Sequence, residues 1–99
     1  MRLVWTPRAR ADLEQIIAYI AEDSPDAAQR IVAFIEHAVT QLCEQPGLGC
    51  PGRKEGIRNL ILRKLSWGAA YVIPYRARRD QIELLAVIHS ARQWPGEMD

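Results

Sequence analysis

Apolar positions recur along this chain with two different periods, and the change between them divides it into a helical half and a sheet half. The opening Arg2-Leu3-Val4-Trp5 is short and suits a strand that stops at Thr6-Pro7. Thr6 is a good helix N-cap and Pro7 fits the first helical position, where its missing N–H costs nothing. Leu13, Ile16, Ile17 and Ile20 then fall at i, i+3, i+4 and i+7, one apolar stripe of a helix over about residues 7–22. Ser24-Pro25-Asp26 repeats the start signal, with an acid in the first turn. Ala28, Ile31, Val32, Ile35, Ala38, Val39 and Leu42 trace a second stripe that ends before Pro46-Gly47. A connection this short folds the two helices back on each other as an antiparallel hairpin.

From Pro46 to Gly56 the chain reads Pro-Gly-Leu-Gly-Cys-Pro-Gly-Arg-Lys-Glu-Gly, the composition of a mobile loop. Three strand-like runs follow: 57–65, closed by Ser66-Trp67-Gly68; 69–77, closed by Arg78-Arg79-Asp80; and 81–89, leading into Ser90-Ala91-Arg92-Gln93-Trp94-Pro95. Short connections predict an antiparallel meander. Pro74 cannot donate to a ladder, so the second of these strands should carry a bulge or an unpaired edge there. The order is β-α-α-β-β-β: a two-layer α+β domain over residues 1–99, its helical hairpin packed on an antiparallel sheet of three to four strands.

Charge sharpens this picture. Thirteen basic and twelve acidic residues give a net +1, yet residues 51–79 hold eight cations against Glu55 alone, a local +7. Residues 1–50 and 80–99 each come to −3. The near-neutral total conceals a basic sheet region beside an acidic helical one. No apolar run approaches the ~18 residues of a membrane span, and the N-terminus has no signal-like apolar region, so a cytoplasmic protein with no membrane partner is expected. Cys43 and Cys50 lack CxxC spacing and do not cluster with His37 or His89, so no metal site is expected. The glycines form no phosphate-binding loop, and no cofactor is expected.

Nothing in the sequence promotes a hydrolytic triad: Ser90 follows His89 directly, and adjacent strand residues point to opposite faces. RNA cleavage through the 2′-hydroxyl asks for less, namely a base, an acid and cations for the charged transition state. Arg58, Arg63, Lys64, Arg76, His89 and Arg92 are of the right types on or near adjacent strands. The plainer reading is a sheet surface kept soluble by its charges. His37 lies off its helix stripe and reads as a surface residue, whereas His89, at a strand end, is open to a backbone-bonded or a functional role. Trp5, Tyr19 and Trp94 read as plugs at the edge of the core.

Taken in order, these segments resemble the ParE/RelE superfamily of toxin–antitoxin toxins. The resemblance rests on Pro7-Arg8-Ala9 through Asp12-Leu13 to Tyr19-Ile20, on Asp23 to Ala28, and on the Pro46…Gly52-Arg53 loop. Gly56-Ile57-Arg58-Asn59-Leu60, Tyr71 to Arg76 and Ile82 to Arg92 complete it. It covers nearly the whole chain and looks most like the ParE branch. It implies a helical hairpin on an antiparallel sheet. It also implies a neighbouring gene for a small, partly disordered, DNA-binding antitoxin whose tail folds onto the toxin. Within the superfamily, ParE-like members poison DNA gyrase by binding it, and RelE-like members cleave mRNA in the ribosome.

Three features favour the ParE branch. RelE-like nucleases read Gly-x-Arg-Leu-Val-Tyr in the penultimate strand, and here Ala70 stands two residues after Gly68 where that arginine would be. The net charge of +1 lacks the strong basic excess of ribosome-directed members. The ending His89-Ser90-Ala91-Arg92-Gln93-Trp94-Pro95 is similar to ParE-like endings. A binding toxin has no catalytic residues, and Arg58, Arg63, Tyr75, Arg76, His89, Arg92 and Trp94 are its expected contacts, some for the target and some for the antitoxin. The alternative, a ribosome-dependent endoribonuclease, would use Arg63, Lys64, Arg76 and His89. A third reading is a non-toxic module that only binds the antitoxin.

Overall fold

A computed structural model describes residues 1–64 and 69–89, with the backbone alone at Lys64, Ala69 and Ala70. Arg92, Trp94 and the break at Ser66-Trp67-Gly68 lie outside the described residues. Strand β1 (Arg2–Trp5) leads through Thr6 into helix α1 (Pro7–Asp23), which is followed by α2 (Pro25–Glu44). Thr6 accepts from the Ala9 N–H at 3.3 Å, and Ser24 accepts from the Ala27 N–H at 3.1 Å. Ser24 also closes α1 by donating its own N–H to the Ile20 carbonyl at 2.9 Å. One residue therefore ends one helix and starts the next, which forces the antiparallel hairpin.

The remaining strands are β2 (Cys50–Pro51), β3 (Arg58–Lys64), β4 (Ala69–Arg78), β5 (Gln81–Leu84) and β6 (Ile88–His89). They form one sheet in the order β1-β5-β4-β3-β2, with β6 pairing with β4 beyond β5. The α+β class and the two layers agree with the sequence reading; the sheet differs in three respects. First, β1 runs parallel to β5, pairing Leu3 with Ile82 and Trp5 with Leu84, so the sheet is mixed. Second, the glycine-rich loop contributes the short strand β2 to the β3 edge. Third, the last expected strand is split into β5 and β6.

Pro74 accounts for that split. It sits in the central strand β4 and is fully buried. Its carbonyl accepts from the Leu85 N–H at 2.8 Å, so its ring nitrogen faces the same side, toward the 85–87 interruption. A donor is missing where the neighbouring strand has broken its own ladder. The Thr6 hydroxyl donates to the Leu84 carbonyl at 2.7 Å, and the Asp12 carboxylate accepts from the Val87 N–H at 3.1 Å. The start of α1 thus holds the interruption at both ends.

The alternation of β3 and β4 sets the core. Leu60, Leu62, Tyr71, Ile73 and Tyr75 share the helix-facing side with Ile82 and Leu84. They pack against Ile31, Ile35, Val39 and Leu42 of α2, each at most 2% exposed. Helix α1 is less deeply seated. Its Leu13, Ile16 and Ile20 are only half-buried against the core, and Tyr19 is 65% exposed. An open groove of about 450 Å³ remains between α1 and the β4–β6 end of the sheet.

Candidate functional site

Because β-strand side chains alternate, the register assigns each expected contact to one of two faces. Arg63 pairs with Ala70 and lies beside exposed Ile61 on the outer face, away from the helices. Arg76 and Arg78 pair with Glu83 and Gln81 on that same face. His89 pairs with Tyr71, which belongs to the helix-facing core, so the histidine lies on the other side. Arg63 and Arg76 are about 20 Å apart along the sheet, six strand residues at ~3.3 Å each. The set Arg63, Arg76 and His89 from the nuclease reading is therefore split between two faces, and Lys64 ends β3 with its side chain outside the described residues.

Tyr75 and Arg58 have places unlike those of surface contacts. Tyr75 is fully buried. Its hydroxyl donates to the Pro46 carbonyl and accepts from the Gly49 N–H, at 2.7 and 2.8 Å. The Arg58 guanidinium donates to the Gly49 carbonyl at 2.7 Å. Both residues clamp the loop that its composition marks as mobile. Gly49 is required at this clamp, because a Cβ there would lie 2.7 Å from Tyr75 Cε1 and 2.8 Å from the Asn59 carbonyl oxygen. The loop tip closes on itself through Gly52 N–H to Ile57 O at 2.8 Å.

On the outer face, polar groups run in a continuous ladder across β1, β5 and β4. Arg2 Nη2 donates to Gln81 Oε1 at 3.1 Å, and Gln81 Nε2 donates to Glu83 Oε2 at 2.7 Å. Glu83 Oε1 accepts from Arg76 Nε at 2.7 Å. Both Glu83 oxygens are thus engaged, and the Arg76 bond, then that of Gln81, holds its carboxyl below the usual glutamate range. A depressed carboxyl favours the folded state above the unfolded-chain value, and that contribution is lost as pH falls through the folded value. Thermal melts from pH 7 to pH 3 should therefore show a smaller acid-induced fall in Tm for Glu83→Gln than for the native protein. Equal falls would remove Glu83 from the acid response.

The groove on the opposite side is lined by Arg8, Asp12, Gln15 and Tyr19 of α1 and by Tyr71 and His89 of the sheet. His89 meets Tyr71 edge to face, with ring centroids 5.2 Å apart at 86°. Burial pushes the Tyr71 phenol up, so it stays protonated at neutral pH. Arg8 lies 3.5 Å from the Asp12 carboxylate, which also holds the Val87 N–H. Sequence reasoning missed Arg2, Gln81, Glu83 and Asp12. Gln81 and Glu83 were within reach, because a two-residue turn at Arg79-Asp80 sets Arg78 opposite Gln81 and Arg76 opposite Glu83, whereas Arg2 joins them only through the parallel β1 pairing. Asp12 had no such signal, since its partner is a backbone amide 75 residues away.

Among the described residues no helix is long and apolar enough to cross a membrane, and no three His, Cys, Asp or Glu side chains cluster as metal ligands. The sequence model of a family described as the ParE toxin of the type II toxin–antitoxin system parDE matches residues 3–94. The chain is 48% identical over 94 residues to "Putative toxin Y4kP" of Sinorhizobium fredii, covering 95% of this chain and 93% of that one. It is 35% identical over 91 residues to Toxin RelE2 of Caulobacter vibrioides, covering 92% and 97%. A solved structure described as a chromosomal ParDE TA system from P. aeruginosa superposes with a TM-score of 0.75 at 29% identity, over 90% of this chain and 95% of that one. The chain belongs to the ParE toxin family: it is a toxin of a type II toxin–antitoxin system, and a cognate antitoxin is its implied partner.

Proposed function

We propose that this toxin acts by binding rather than by cleavage, with DNA gyrase as its target, and that its antitoxin occupies the groove between α1 and the sheet. The observation that supports binding is the division of the cations. RNA cleavage needs an acid, a base and cations converging within hydrogen-bond reach of one phosphate. Here His89 is on the helix side, and Arg63 and Arg76 are on the outer side. Gyrase as the target rests on family kinship.

Two faces allow two partners. The groove offers the half-buried apolar stripe of Ile16 and Ile20, with Tyr19 exposed on the same helix, and suits an antitoxin segment that folds on contact. His89 is the expected contact there, and Arg63 and Arg76 are left for the target. Purified toxin should block supercoiling by gyrase or accumulate cleaved DNA while leaving in-vitro translation intact. Unaffected supercoiling at large toxin excess, with mRNA cut in translating extracts, would establish the endoribonuclease instead.

A further inference from the structure

The outer face of the sheet carries four arginines that the helical layer cannot neutralise. Arg2, Arg63 and Arg78 are exposed there, and the Arg76 side chain is 42% exposed. Among the described residues, Glu83 is the one acid that the register sets beside them, and its side chain is only 15% exposed beneath Arg76. The adjoining turn adds Arg79 and Asp80, whose charges cancel. Among the described residues the net charge of the face is therefore +3. Helices α1 and α2 carry three arginines and seven acids, a net −4 on the opposite layer.

The Arg76 guanidinium is also held by a fixed partner. Glu83 takes only the Nε edge of Arg76, and no described residue accepts from its two Nη groups. The Arg76 side chain is 42% exposed, so its Nη donors are left for an anionic oxygen pair while Glu83, itself held by Gln81, fixes the Nε edge. Arg78 stands two residues along the same strand, about 7 Å away. Arg63 stands apart at the other end of the face, about 20 Å away, with the buried Val72, Pro74 and Asn59 between.

The geometry points to the phosphodiester backbone of duplex DNA as the ligand of this outer face, bound whether or not gyrase is present. A charge-polarised molecule is turned by the field of an extended polyanion so that its helices face away and its sheet faces in. Phosphate contacts of this kind position a protein without reading sequence. Gln81 and Glu83 are positioning residues for Arg76 in this arrangement. The proposal goes beyond the gyrase reading and is tested without gyrase.

The test uses purified toxin and a short duplex DNA of arbitrary sequence, with affinity measured from 50 to 200 mM salt. About three phosphates neutralised give a slope of log K against log[salt] of about −2.7, or roughly a 40-fold loss over that range. Arg78→Gln and Arg63→Gln should each make the slope shallower by about one. Arg10→Gln, on α1, should leave it unchanged. The two exposed arginines keep the test valid if an Arg76 variant fails to fold. No binding at 50 mM salt, a slope insensitive to Arg63 and Arg78, or tighter binding to single-stranded RNA of equal length would overturn the proposal. So would a tenfold loss of antitoxin affinity in Arg78→Gln with an unaltered DNA slope, because the face would then belong to an acidic antitoxin segment. Toxin that binds DNA as stated but leaves supercoiling untouched defeats the gyrase reading alone. Toxin that blocks supercoiling without binding DNA defeats this one alone.

Discussion

Tyr75→Ala is expected to destabilise the protein by about 3–5 kcal/mol, the range for removing a buried aromatic ring. In a domain of this size that lowers Tm by about 12–40 °C, at ~4–8 °C per kcal/mol. Tyr75 earns so large an effect by serving two structures at once. Its ring fills the core beside Ile73 and Leu84, and its hydroxyl reaches past the core to hold Pro46 and Gly49. Tyr75→Phe separates the two roles. It keeps the ring and leaves the buried Gly49 N–H without its acceptor, at a cost of about 1–3 kcal/mol. Hydrogen exchange should then show faster opening over residues 46–57 with protection of β3 and β4 retained. Uniform loss of protection across the sheet would mean that the hydroxyl supports the core and not the loop.

The second large effect is at the other end of the same hydrogen bond. Gly49→Ala introduces a methyl 2.7 Å from Tyr75 Cε1, 2.8 Å from the Asn59 carbonyl oxygen and 2.9 Å from the Tyr75 hydroxyl. Two of these neighbours belong to a fully buried ring and the third is backbone in a paired strand, so none can move aside cheaply. Overpacking of this kind costs about 1–3 kcal/mol, and displacement of the loop adds the loss of the Tyr75 and Arg58 bonds. Because both variants act on one contact, Gly49→Ala with Tyr75→Phe should cost less than the sum of the two singles. Chemical denaturation of the four proteins measures this coupling. Strict additivity would show that the methyl is accommodated away from Tyr75.

The helical half was almost fully legible in the sequence, for local reasons. Thr6-Pro7 and Ser24-Pro25 are capping signals whose physics is complete within a few residues, and both caps form as expected. Pro74 was legible as a disturbance, but the sequence could not say that the neighbouring strand would break opposite it. The parallel pairing of β1 was not legible at all, because the choice of edge for a four-residue strand depends on which side of β4 is already taken. The loop over 46–56, whose composition suggests mobility, is anchored at Pro46 and Gly49. Its glycines and prolines do describe a turn-rich path, yet its anchor is a tyrosine hydroxyl 26 residues beyond Gly49.

At the candidate site, composition located the cations and alternation sorted them. Grouping residues 51–79 as one basic segment overlooked the period of two that sends Arg58 and Tyr75 inward to the loop and Arg63, Arg76 and Arg78 outward. His89 was correctly marked as a strand end, and its edge-to-face contact with Tyr71 follows from a pairing across the interruption at 85–87. Glu83 shows the limit most clearly. In the sequence it is one acid in a mixed segment, and in the fold it orients Arg76.

The pairing of β1 with β5 also sets a clock for the living cell. Arg2 and Gln81 are 79 residues apart in the chain, so the first strand made waits for one of the last before the sheet can be completed. At about 5–20 residues per second, that wait is ~4–16 s of synthesis. A nascent toxin still on the ribosome lacks the finished outer face, and its α1–α2 hairpin is present first. The sheet surface that this pairing completes is therefore among the last parts of the molecule to form.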